Sequence, residues 1–230
     1  MNRVIVVTGG TKGIGKAVAE RFATADERVE AVGRDELDVT DEASVQSYFE
    51  GLGRVDVLVN NAGVASGAPL ARTTLADWRA HLDANATGAF LCTRAVLPGM
   101  IERGDGRIVT VASIAGVTGA RYTAAYTASK HAAVGVMRAT AAEVTGTGVT
   151  ANAVCPAFVR TDMTRRTVEN IVEKTGRTAE EAQSELEAMT PLGRLIEPDE
   201  VAAAVVFLAS PEAAAINGQT LVLDGGGLQA

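Results

Sequence analysis

The sequence contains few cysteines, no surplus of positive charge and no long hydrophobic run. Its two cysteines, Cys92 and Cys155, lie within apolar stretches. That setting favours buried free thiols, although a disulfide or a redox role remains the alternative. No apolar run approaches the length of a membrane-spanning helix. The short apolar run at residues 4–7 leads straight into a glycine-rich turn, so we expect no signal peptide.

Acidic residues outnumber basic ones, which gives a formal charge of −7 at neutral pH. A negative protein is a poor general ligand for nucleic acid, because the phosphate backbone attracts positive surfaces. We therefore expect a soluble, cytoplasmic protein that binds neither nucleic acid nor membrane. We predict no metal site.

The 230 residues suffice for one compact domain of the larger kind. Short β-branched runs alternate with helical stretches along the chain, without repeats or a linker. This βαβα alternation predicts an α/β protein, with a single doubly wound, Rossmann-type parallel sheet over residues 1–230. A polar, helix-prone insert at about 162–190 is longer than a simple connection requires, and we predict that it forms a substrate lid.

A glycine-rich turn follows the first predicted strand, at residues 4–7. Gly9, Gly13 and Gly15 give the spacing G-x-x-x-G-x-G, and a helical stretch comes next. In this context backbone N–H groups and the helix N-terminus face the pyrophosphate of a dinucleotide. A purely structural turn is the alternative, and the spaced glycines directly after a first strand favour phosphate binding.

The second predicted strand, residues 29–32, ends where a dinucleotide site distinguishes its two cofactors. Gly33 occupies the position expected for an acid that binds the ribose 2′-hydroxyl, and Arg34 follows it. Arg34 could bind a 2′-phosphate on this ribose, and Lys12, in the glycine turn, could reach the same phosphate. Asp35 could instead favour NAD. We predict that NADP(H) is favoured over NAD(H).

Residues 37–39 resemble a third strand, yet only about four residues separate them from the second. A parallel crossover needs a dozen residues or more, usually a helix. We therefore predict that the helix between strands 2 and 3 is missing and that strand 3 is lost or vestigial. Asp38 and Val39 would then form a loop beside the adenine.

A helical region extends from about residue 74 to residue 103, interrupted near residues 85–88. Asn85 and Gly88 both disfavour a helix interior, so we predict a local distortion with a purpose. Trp78 and Leu82 are predicted in the core or an interface. His81 is predicted at the surface.

Tyr126 and Lys130 are four residues apart in a stretch readable as a helix, so both side chains share one face. A nearby ammonium could lower the tyrosine pKa from about 10 towards about 7, where a phenol serves as a general acid or base. The pair alone is weak evidence, because amphipathic helices produce it by chance. Ser113 ends another buried strand, at residues 107–113.

Several motifs follow one another in this order along the chain: Thr8-Gly9-x-x-x-Gly13-x-Gly15, Asn60-Asn61-Ala62-Gly63, Asn85, Ser113, Tyr126-x-x-x-Lys130, Asn152 with Pro156 and Thr161, and Asp224-Gly225-Gly226. Taken together, they make the sequence resemble the short-chain dehydrogenase/reductase family along essentially its whole length.

The resemblance implies four catalytic residues. Tyr126 would exchange a proton with the carbonyl oxygen as hydride is transferred. Lys130 would lower the tyrosine pKa and hold the nicotinamide ribose. Ser113 would hydrogen-bond the same oxygen, and Asn85 would hold a water that links Lys130 to solvent.

The resemblance also implies the cofactor contacts. Lys12, Arg34, Asp38, Val39 and Asn61 would line the adenosine side, and Pro156, Val159 and Thr161 would meet the nicotinamide end. The full predicted set is Gly9, Thr11, Lys12, Gly13, Ile14, Gly15, Arg34, Asp38, Val39, Asn61, Ala62, Gly63, Tyr126, Lys130, Pro156, Val159 and Thr161. Ala157 departs from the family pattern, which usually has glycine there, and adds a methyl near the nicotinamide.

The predicted function is hydride transfer between a nicotinamide cofactor and a ketone or secondary alcohol, with a 3-oxoacyl thioester or related carbonyl as substrate. Arg160, Arg165 and Arg166 could receive a phosphopantetheine or an acidic carrier protein, or could form a solvated helix face. A cofactor-independent lyase-like or dehalogenase-like relative and a non-catalytic NADP-sensing scaffold are the alternatives. The family resemblance implies a homotetramer, with the 85–103 and Tyr126 helices in its interface.

Overall fold

Six parallel strands form one sheet within residues 3–23 and 27–228, which the computed structural model describes. Along the chain they are β1 (Arg3–Thr8), β2 (Glu27–Val32), β3 (Val57–Asn60), β4 (Gly106–Val111), β5 (Val149–Pro156) and β6 (Thr220–Leu223). Their order across the sheet is β2-β1-β3-β4-β5-β6. The direction of winding reverses between β1 and β3, which opens a crevice at the carboxyl ends of these strands.

The helices cover both faces of the sheet. They are α1 (Gly13–Phe22), α2 (Glu42–Leu52), α3 (Leu75–Leu82), α4 (Gly88–Arg103), α5 (Ala124–Glu143), α6 (Asp162–Thr175), α7 (Ala179–Ala188) and α8 (Pro198–Leu208). Val18 of α1 and Val205 of α8 lie in one buried cluster. Phe49 of α2, Leu91 of α4 and Met137 of α5 lie in the other. The predicted doubly wound α/β sheet is confirmed.

The strands are hydrophobic throughout because both faces of the sheet are buried. In β1, Val6 points into the cluster with α2, α4 and α5, whereas Ile5 and Val7 point into the cluster with α1 and α8. All three side chains are fully buried. This alternation is the two-residue period of a strand, so successive side chains serve the two layers in turn.

Residues 33–41 form turns, with neither helix nor strand in this part of the described chain, and β2 is an edge strand of the sheet. Leu37 and Val39 are buried in the core. The short connection therefore still contributes hydrophobic packing, although it adds no strand to the sheet.

The predicted helix distortion is confirmed. Residues Asp83–Thr87 form a π-helical turn that joins α3 directly to α4. Gly88 follows it because a Cβ there would lie 2.7 Å from Cγ2 of Val39. The glycine thus lets the helix approach the shortened β2–α2 connection closely.

The segment after β5 forms the helix pair α6 and α7. Thr161 and Thr178 accept hydrogen bonds as their N-caps, and Thr178 forms a capping box with Glu181. Ala182 and Leu186 of α7 are buried. Among the described helices, none is both long enough and apolar enough to cross a membrane.

Candidate active site

The glycine turn lies at the crevice between β1 and β3, and its glycines are required by close contacts. Gly9 and Gly13 have φ of 62° and 54°, in the left-handed region that disfavours side chains. A Cβ on Gly15 would lie 2.3 Å from the Gly9 carbonyl oxygen. The turn therefore brings bare backbone to the N-terminus of α1.

The N-terminus of α1 is suited to an anion. Its N-cap residue, Lys12, makes no side-chain cap hydrogen bond, so no side chain at this position satisfies the first-turn N–H groups. Thr11 and Lys12 are both exposed beside it. N–H donors without a side-chain cap, the positive end of the helix and a lysine fit a pyrophosphate.

Asn61 ties the glycine turn to the end of β3. Its Nδ2 donates to the carbonyl oxygens of Thr8, at 2.9 Å, and of Gly9, at 3.0 Å. In return, Thr8 Oγ1 accepts from the backbone N–H groups of Asn61 and Ala62, each at 3.0 Å. The side-chain donors of Asn61 thus serve the turn itself, a role that its motif did not reveal.

The tip of β2 carries an arrangement that the sequence did not indicate. The Glu36 carboxylate accepts a hydrogen bond from Gly33 N at 2.9 Å, and it lies on the side of Gly33 that also faces Thr11. Arg34 extends into solvent and pairs with Asp38 at 3.0 Å. Glu36 was missed because the expected acid position is Gly33, and only the tight turn returns Glu36 to it.

Asp38 and Val39 are held within the β2–α2 connection. Hydrogen bonds from the side chain and backbone of Thr40, and the nearby Arg34 guanidinium, lower the pKa of Asp38. Val39 is buried against Gly88. The carboxylate of Asp38 is therefore accessible only in part, and the Val39 side chain faces the core.

Ser113 and Tyr126 bring two hydroxyl groups together at the carboxyl end of β4. Ser113 is largely buried, and its Oγ accepts from Ala115 N at 3.1 Å. Tyr126 is in the first turn of α5, and its hydroxyl lies close enough to Ser113 for that side chain to lower the pKa of the phenol. A substrate oxygen placed between these hydroxyls would meet two donors at once.

Lys130 lies one helical turn beyond Tyr126 and is buried. Its Nζ donates to the Val111 carbonyl oxygen at 2.9 Å and lies 5.8 Å from the centre of the Tyr126 ring. Burial lowers the pKa of Lys130 to about 8, and the neighbouring Cys155 opposes that shift. The predicted pairing of Tyr126 and Lys130 on one face of a helix is observed.

The predicted effect of Lys130 on the pKa of Tyr126 is wrong for this structure. Burial raises the tyrosine pKa; the Ser113 side chain lowers it in part, and Cys155 raises it further. Lys130 does not offset the burial, because its ammonium points to the Val111 carbonyl oxygen. Helical spacing placed the two residues correctly but could not give the direction of the ammonium.

Asn85 lies in the π-helical turn and is buried. Its Oδ1 accepts from Val64 N at 2.8 Å, and its Nδ2 donates to the Val64 carbonyl oxygen at 3.0 Å and to Ser129 Oγ at 2.8 Å. The side chain thus joins the connection after β3 to α5. A Cβ on Gly63 would lie 2.6 Å from its Oδ1, so this approach also requires a glycine.

The predicted nicotinamide residues follow β5. Thr161, the N-cap of α6, lies against the glycine turn, because a Cβ on Gly13 would approach its Cγ2 to 3.3 Å. Pro156 ends β5, and Val159 is buried in the α1 and α8 cluster. Of these three residues, Thr161 is therefore the one that lies close to the glycine turn.

His81 was predicted at the surface, and that prediction is wrong. The residue is 3% exposed in the last turn of α3, with its ring 6.3 Å from that of Tyr126 between centres. Cys92 and Cys155 are buried free thiols, as predicted. No group of three or more His, Cys, Asp and Glu side chains that could hold a metal occurs among the described residues.

The structure thus gathers the glycine turn, Asn85, Ser113, Tyr126 and Lys130 at the carboxyl edge of one sheet. A family model described as enoyl-(acyl carrier protein) reductase matches residues 25–227, most of the chain. The chain belongs to the short-chain dehydrogenase/reductase family. It is an NAD(P)-dependent enzyme of this class, as the motifs implied and as its relatives support.

Several characterised short-chain dehydrogenases/reductases match almost end to end. The chain is 37% identical to the 3-oxoacyl-(acyl-carrier-protein) reductase FabG of Vibrio cholerae, over 97% of this chain and 96% of that protein. It is 39% identical to D-threitol dehydrogenase of Mycolicibacterium smegmatis, over 97% and 92%. A crystal structure of a variant actinorhodin polyketide ketoreductase with NADPH superposes with a TM-score of 0.91, at 38% identity, over 98% and 97%.

Proposed function

We propose that this short-chain dehydrogenase/reductase transfers hydride between NADP(H) and a ketone or secondary alcohol, with Asn85, Ser113, Tyr126 and Lys130 as the catalytic set. The observation that carries the proposal is the approach of the Ser113 hydroxyl to that of Tyr126, close enough to lower the tyrosine pKa, beside the buried Lys130. Two hydroxyl donors and a cation, buried at the end of a parallel sheet, are suited to an oxygen that gains negative charge.

The nicotinamide cofactor supplies or accepts the hydride when it is bound. Gly9, Gly13 and the α1 N-terminus fit its pyrophosphate, since the turn offers bare backbone at positive φ and N–H groups without side-chain caps. The rest of the predicted cofactor set follows from the family resemblance: Thr11, Lys12, Ile14, Gly15, Arg34, Asp38, Val39, Asn61, Ala62, Gly63, Tyr126, Lys130, Pro156, Val159 and Thr161.

Tyr126 donates the proton to the carbonyl oxygen in reduction and accepts it in alcohol oxidation. Ser113 hydrogen-bonds the same oxygen and limits the charge that develops on it. The pKa of Lys130 is about 8, so this amine can exchange a proton near neutral pH, as a relay requires. Asn85 hydrogen-bonds Ser129, the residue before Lys130 on α5. Its amide is therefore a second polar group on the proposed path of the proton to Lys130.

NADP(H) is the preferred cofactor in this proposal. Arg34 is 79% exposed at the tip of β2, so its guanidinium can turn towards a 2′-phosphate, and Lys12 is exposed nearby. The Glu36 carboxylate at the same tip is the observation that favours NAD(H). The shortened β2–α2 connection, which we interpret as the loss of one crossover helix and of strand 3, leaves this end of the site bounded by turns.

The substrate class is a 3-oxoacyl thioester or a related carbonyl. The named activities of the FabG and polyketide ketoreductase relatives support this class. The D-threitol dehydrogenase relative favours a second candidate, the oxidation of a secondary alcohol in a polyol at the same site. The glycine turn and Lys130 argue against the cofactor-independent lyase-like and dehalogenase-like alternative.

We propose that α6 and α7 form a lid over the substrate within a single catalytic domain. Lys174 near the end of α6 approaches the Gly67 carbonyl oxygen to 3.4 Å, which links the lid to the connection after β3. Exposed Met163 and Met189 give this segment an apolar surface. An exposed apolar surface of this kind is suited to binding an acyl chain.

A carrier protein remains a proposed partner. Two of the three arginines that could bind it are already held in ion pairs. Arg160 pairs with Glu197 at 2.8 Å, and Arg165 pairs with Asp162 and Glu169. Arg166 is exposed, and no ion pair of it occurs within the described chain. Phosphopantetheine recognition would therefore rest on Arg166 first. Cytoplasmic location and tetrameric assembly also stay predictions.

The proposal is tested by following reduced nicotinamide absorbance with a panel of 3-oxoacyl thioesters, aryl ketones and polyols. We expect turnover with NADPH and a ketone, and a fall of about 10²- to 10⁴-fold in kcat for Tyr126→Phe. NADPH should still bind to this variant, as measured by its fluorescence. Turnover that survives in Tyr126→Phe, or that occurs with no member of the panel, would overturn the proposal.

A further inference from the structure

His81 is a buried polar residue that the proposed reaction does not use. Its Nδ1 lies 2.7 Å from the Asp77 carbonyl oxygen and its Nε2 lies 3.0 Å from Ser66 N. A carbonyl oxygen only accepts and a backbone N–H only donates, so Nδ1 carries the hydrogen and Nε2 is an acceptor. The two contacts together assign a neutral imidazole in one tautomer.

Ser66 lies in residues 63–68, an irregular segment that we call the site wall. Asn85 holds this wall through both backbone groups of Val64, and the Tyr122 carbonyl oxygen accepts from Ala68 N at 2.7 Å. Between these points, Nε2 of His81 is the partner of the Ser66 N–H. An exposed segment without regular structure depends on such contacts for one conformation.

The His81 ring also contacts the catalytic tyrosine. Its plane is 80° from that of Tyr126, at 6.3 Å between ring centres, which is an edge-to-face arrangement. A cavity of about 20 Å³ borders His81, Ser66 and the Tyr122–Ala125 stretch. One side chain therefore touches both the site wall and the ring of the proposed proton donor.

We propose that His81 is a positioning residue. It fixes the site wall at Ser66 and the Tyr126 ring in the relative positions that the substrate carbonyl requires. This inference rests on the proposed function for its kinetic consequence only. Nε2 is the acceptor that fixes Ser66. The hydrogen bond of Nδ1 within α3 therefore cannot hold the site wall by itself. The glycine turn is held separately, through Thr8 and Asn61. The affinity of the protein for NADPH should therefore not depend on His81.

Two polar variants separate the two ring nitrogens. In His81→Asn the amide lies near the depth of Nδ1 and cannot reach Ser66, whereas in His81→Gln the amide oxygen lies near the depth of Nε2. We expect His81→Asn to lower kcat/KM for the ketone about tenfold, the equivalent of one net hydrogen bond, through both kcat and KM. His81→Gln should retain kcat/KM within threefold of the native protein. NADPH affinity should stay within twofold in both.

His131 provides a matched control. Its Nδ1 lies 3.0 Å from the Thr127 carbonyl oxygen, four residues earlier on its helix, as in His81, but the residue is exposed. His131→Asn should therefore leave kcat/KM unchanged. Equal activity of His81→Asn and His81→Gln, whether both native or both impaired, would overturn the assigned role of Nε2.

Amide hydrogen exchange tests the inference independently of turnover. Peptides that cover the site wall should exchange at least about tenfold faster in His81→Asn than in the native protein, and His81→Gln should restore protection. Unchanged exchange in His81→Asn contradicts the inference even if the reductase is active. Faster exchange in a protein that reduces no ketone would support the positioning contact while rejecting the proposed function.

Discussion

At the scale of single residues, Lys130 combines a proposed functional role with a cost in stability. Its pKa falls from 10.5 to about 8 through burial, and each unit corresponds to about 1.4 kcal/mol between protonation states. The unfolded chain binds the proton more tightly, so the penalty is complete below the folded pKa. It fades as pH rises from about 8 towards the unfolded value.

Lys130→Met should therefore stabilise the protein while abolishing turnover. We expect a gain on the order of 2 kcal/mol near pH 7, after the loss of the hydrogen bond to Val111, and a smaller gain at pH 10. Urea unfolding of both proteins across this range measures the difference. Lys16→Met, at an exposed lysine of α1, controls for the loss of a lysine. A gain that grows with pH contradicts the prediction.

The cofactor preference also belongs to single residues, because two opposite charges share the tip of β2. Arg34→Gln should weaken NADPH binding about tenfold and change NADH binding less than twofold, since only NADPH carries the 2′-phosphate. Glu36→Gln should act in the opposite direction and tighten NADPH, because it removes a negative charge near Thr11.

Fluorescence titration with each cofactor gives the dissociation constants for both variants. Arg28→Gln removes an exposed arginine of β2 that pairs with Glu30, and serves as the control. An Arg34→Gln protein that loses NADH and NADPH affinity equally would show that Arg34 supports the fold of the turn and not the phosphate.

At the scale of elements, the junction of the π-helical turn with α4 depends on Gly88. A Cβ there would lie 2.7 Å from Cγ2 and 2.9 Å from Cβ of Val39. We expect Gly88→Ala to destabilise the fold by about 1–3 kcal/mol through overpacking, although alanine is the better helix former. The midpoint of denaturant unfolding measures this.

Gly51 in α2 is the matched control, because a Cβ there meets nothing within 4 Å. Gly51→Ala should stabilise the protein by roughly 0.5–1 kcal/mol. If both substitutions stabilise, the shortened β2–α2 connection is not packed against α4 in solution as it is in the structure.

Element positions were largely predictable, and the reason is periodicity. β-branched runs identified the six strands, and the serine at the end of β4 and the Tyr126–Lys130 pair on α5 followed from their spacing. The contacts of Glu36 and His81 were not predictable, since each depends on a turn or a neighbouring segment distant from its own periodic pattern. The helical pattern predicted an exposed His81, and the packing of α3 against α5 together with the site wall at Ser66 buries it.

At the scale of the whole molecule, exposed apolar residues remain on two sets of helices and strands. Phe90 and Ile101 of α4 are 42% and 41% exposed, and Phe207 of α8 and Leu221 of β6 are 48% and 37% exposed. Such faces on packed elements are suited to subunit interfaces. They support the proposed homotetramer, in which α4 was predicted to take part.

Light scattering should therefore give a mass four times that of the 23.7 kDa chain. Phe90→Asp should reduce it, because a buried unpaired carboxylate opposes association. Leu70→Asp, at a residue 74% exposed outside these elements, should leave the mass unchanged. A native protein that scatters as a single chain would reject the tetramer.

The sequence by itself determined the doubly wound sheet and the glycine turn, because local periodicity and spacing fix the strands and helices, and its resemblance to a known family pointed to Asn85, Ser113, Tyr126 and Lys130. The tertiary structure decided which atoms meet there. It directs the Lys130 ammonium to Val111, brings Glu36 to the tip of β2 and places His81 between the site wall and Tyr126. Directions of buried polar groups depend on desolvation and on partners far along the chain, and no local pattern records them.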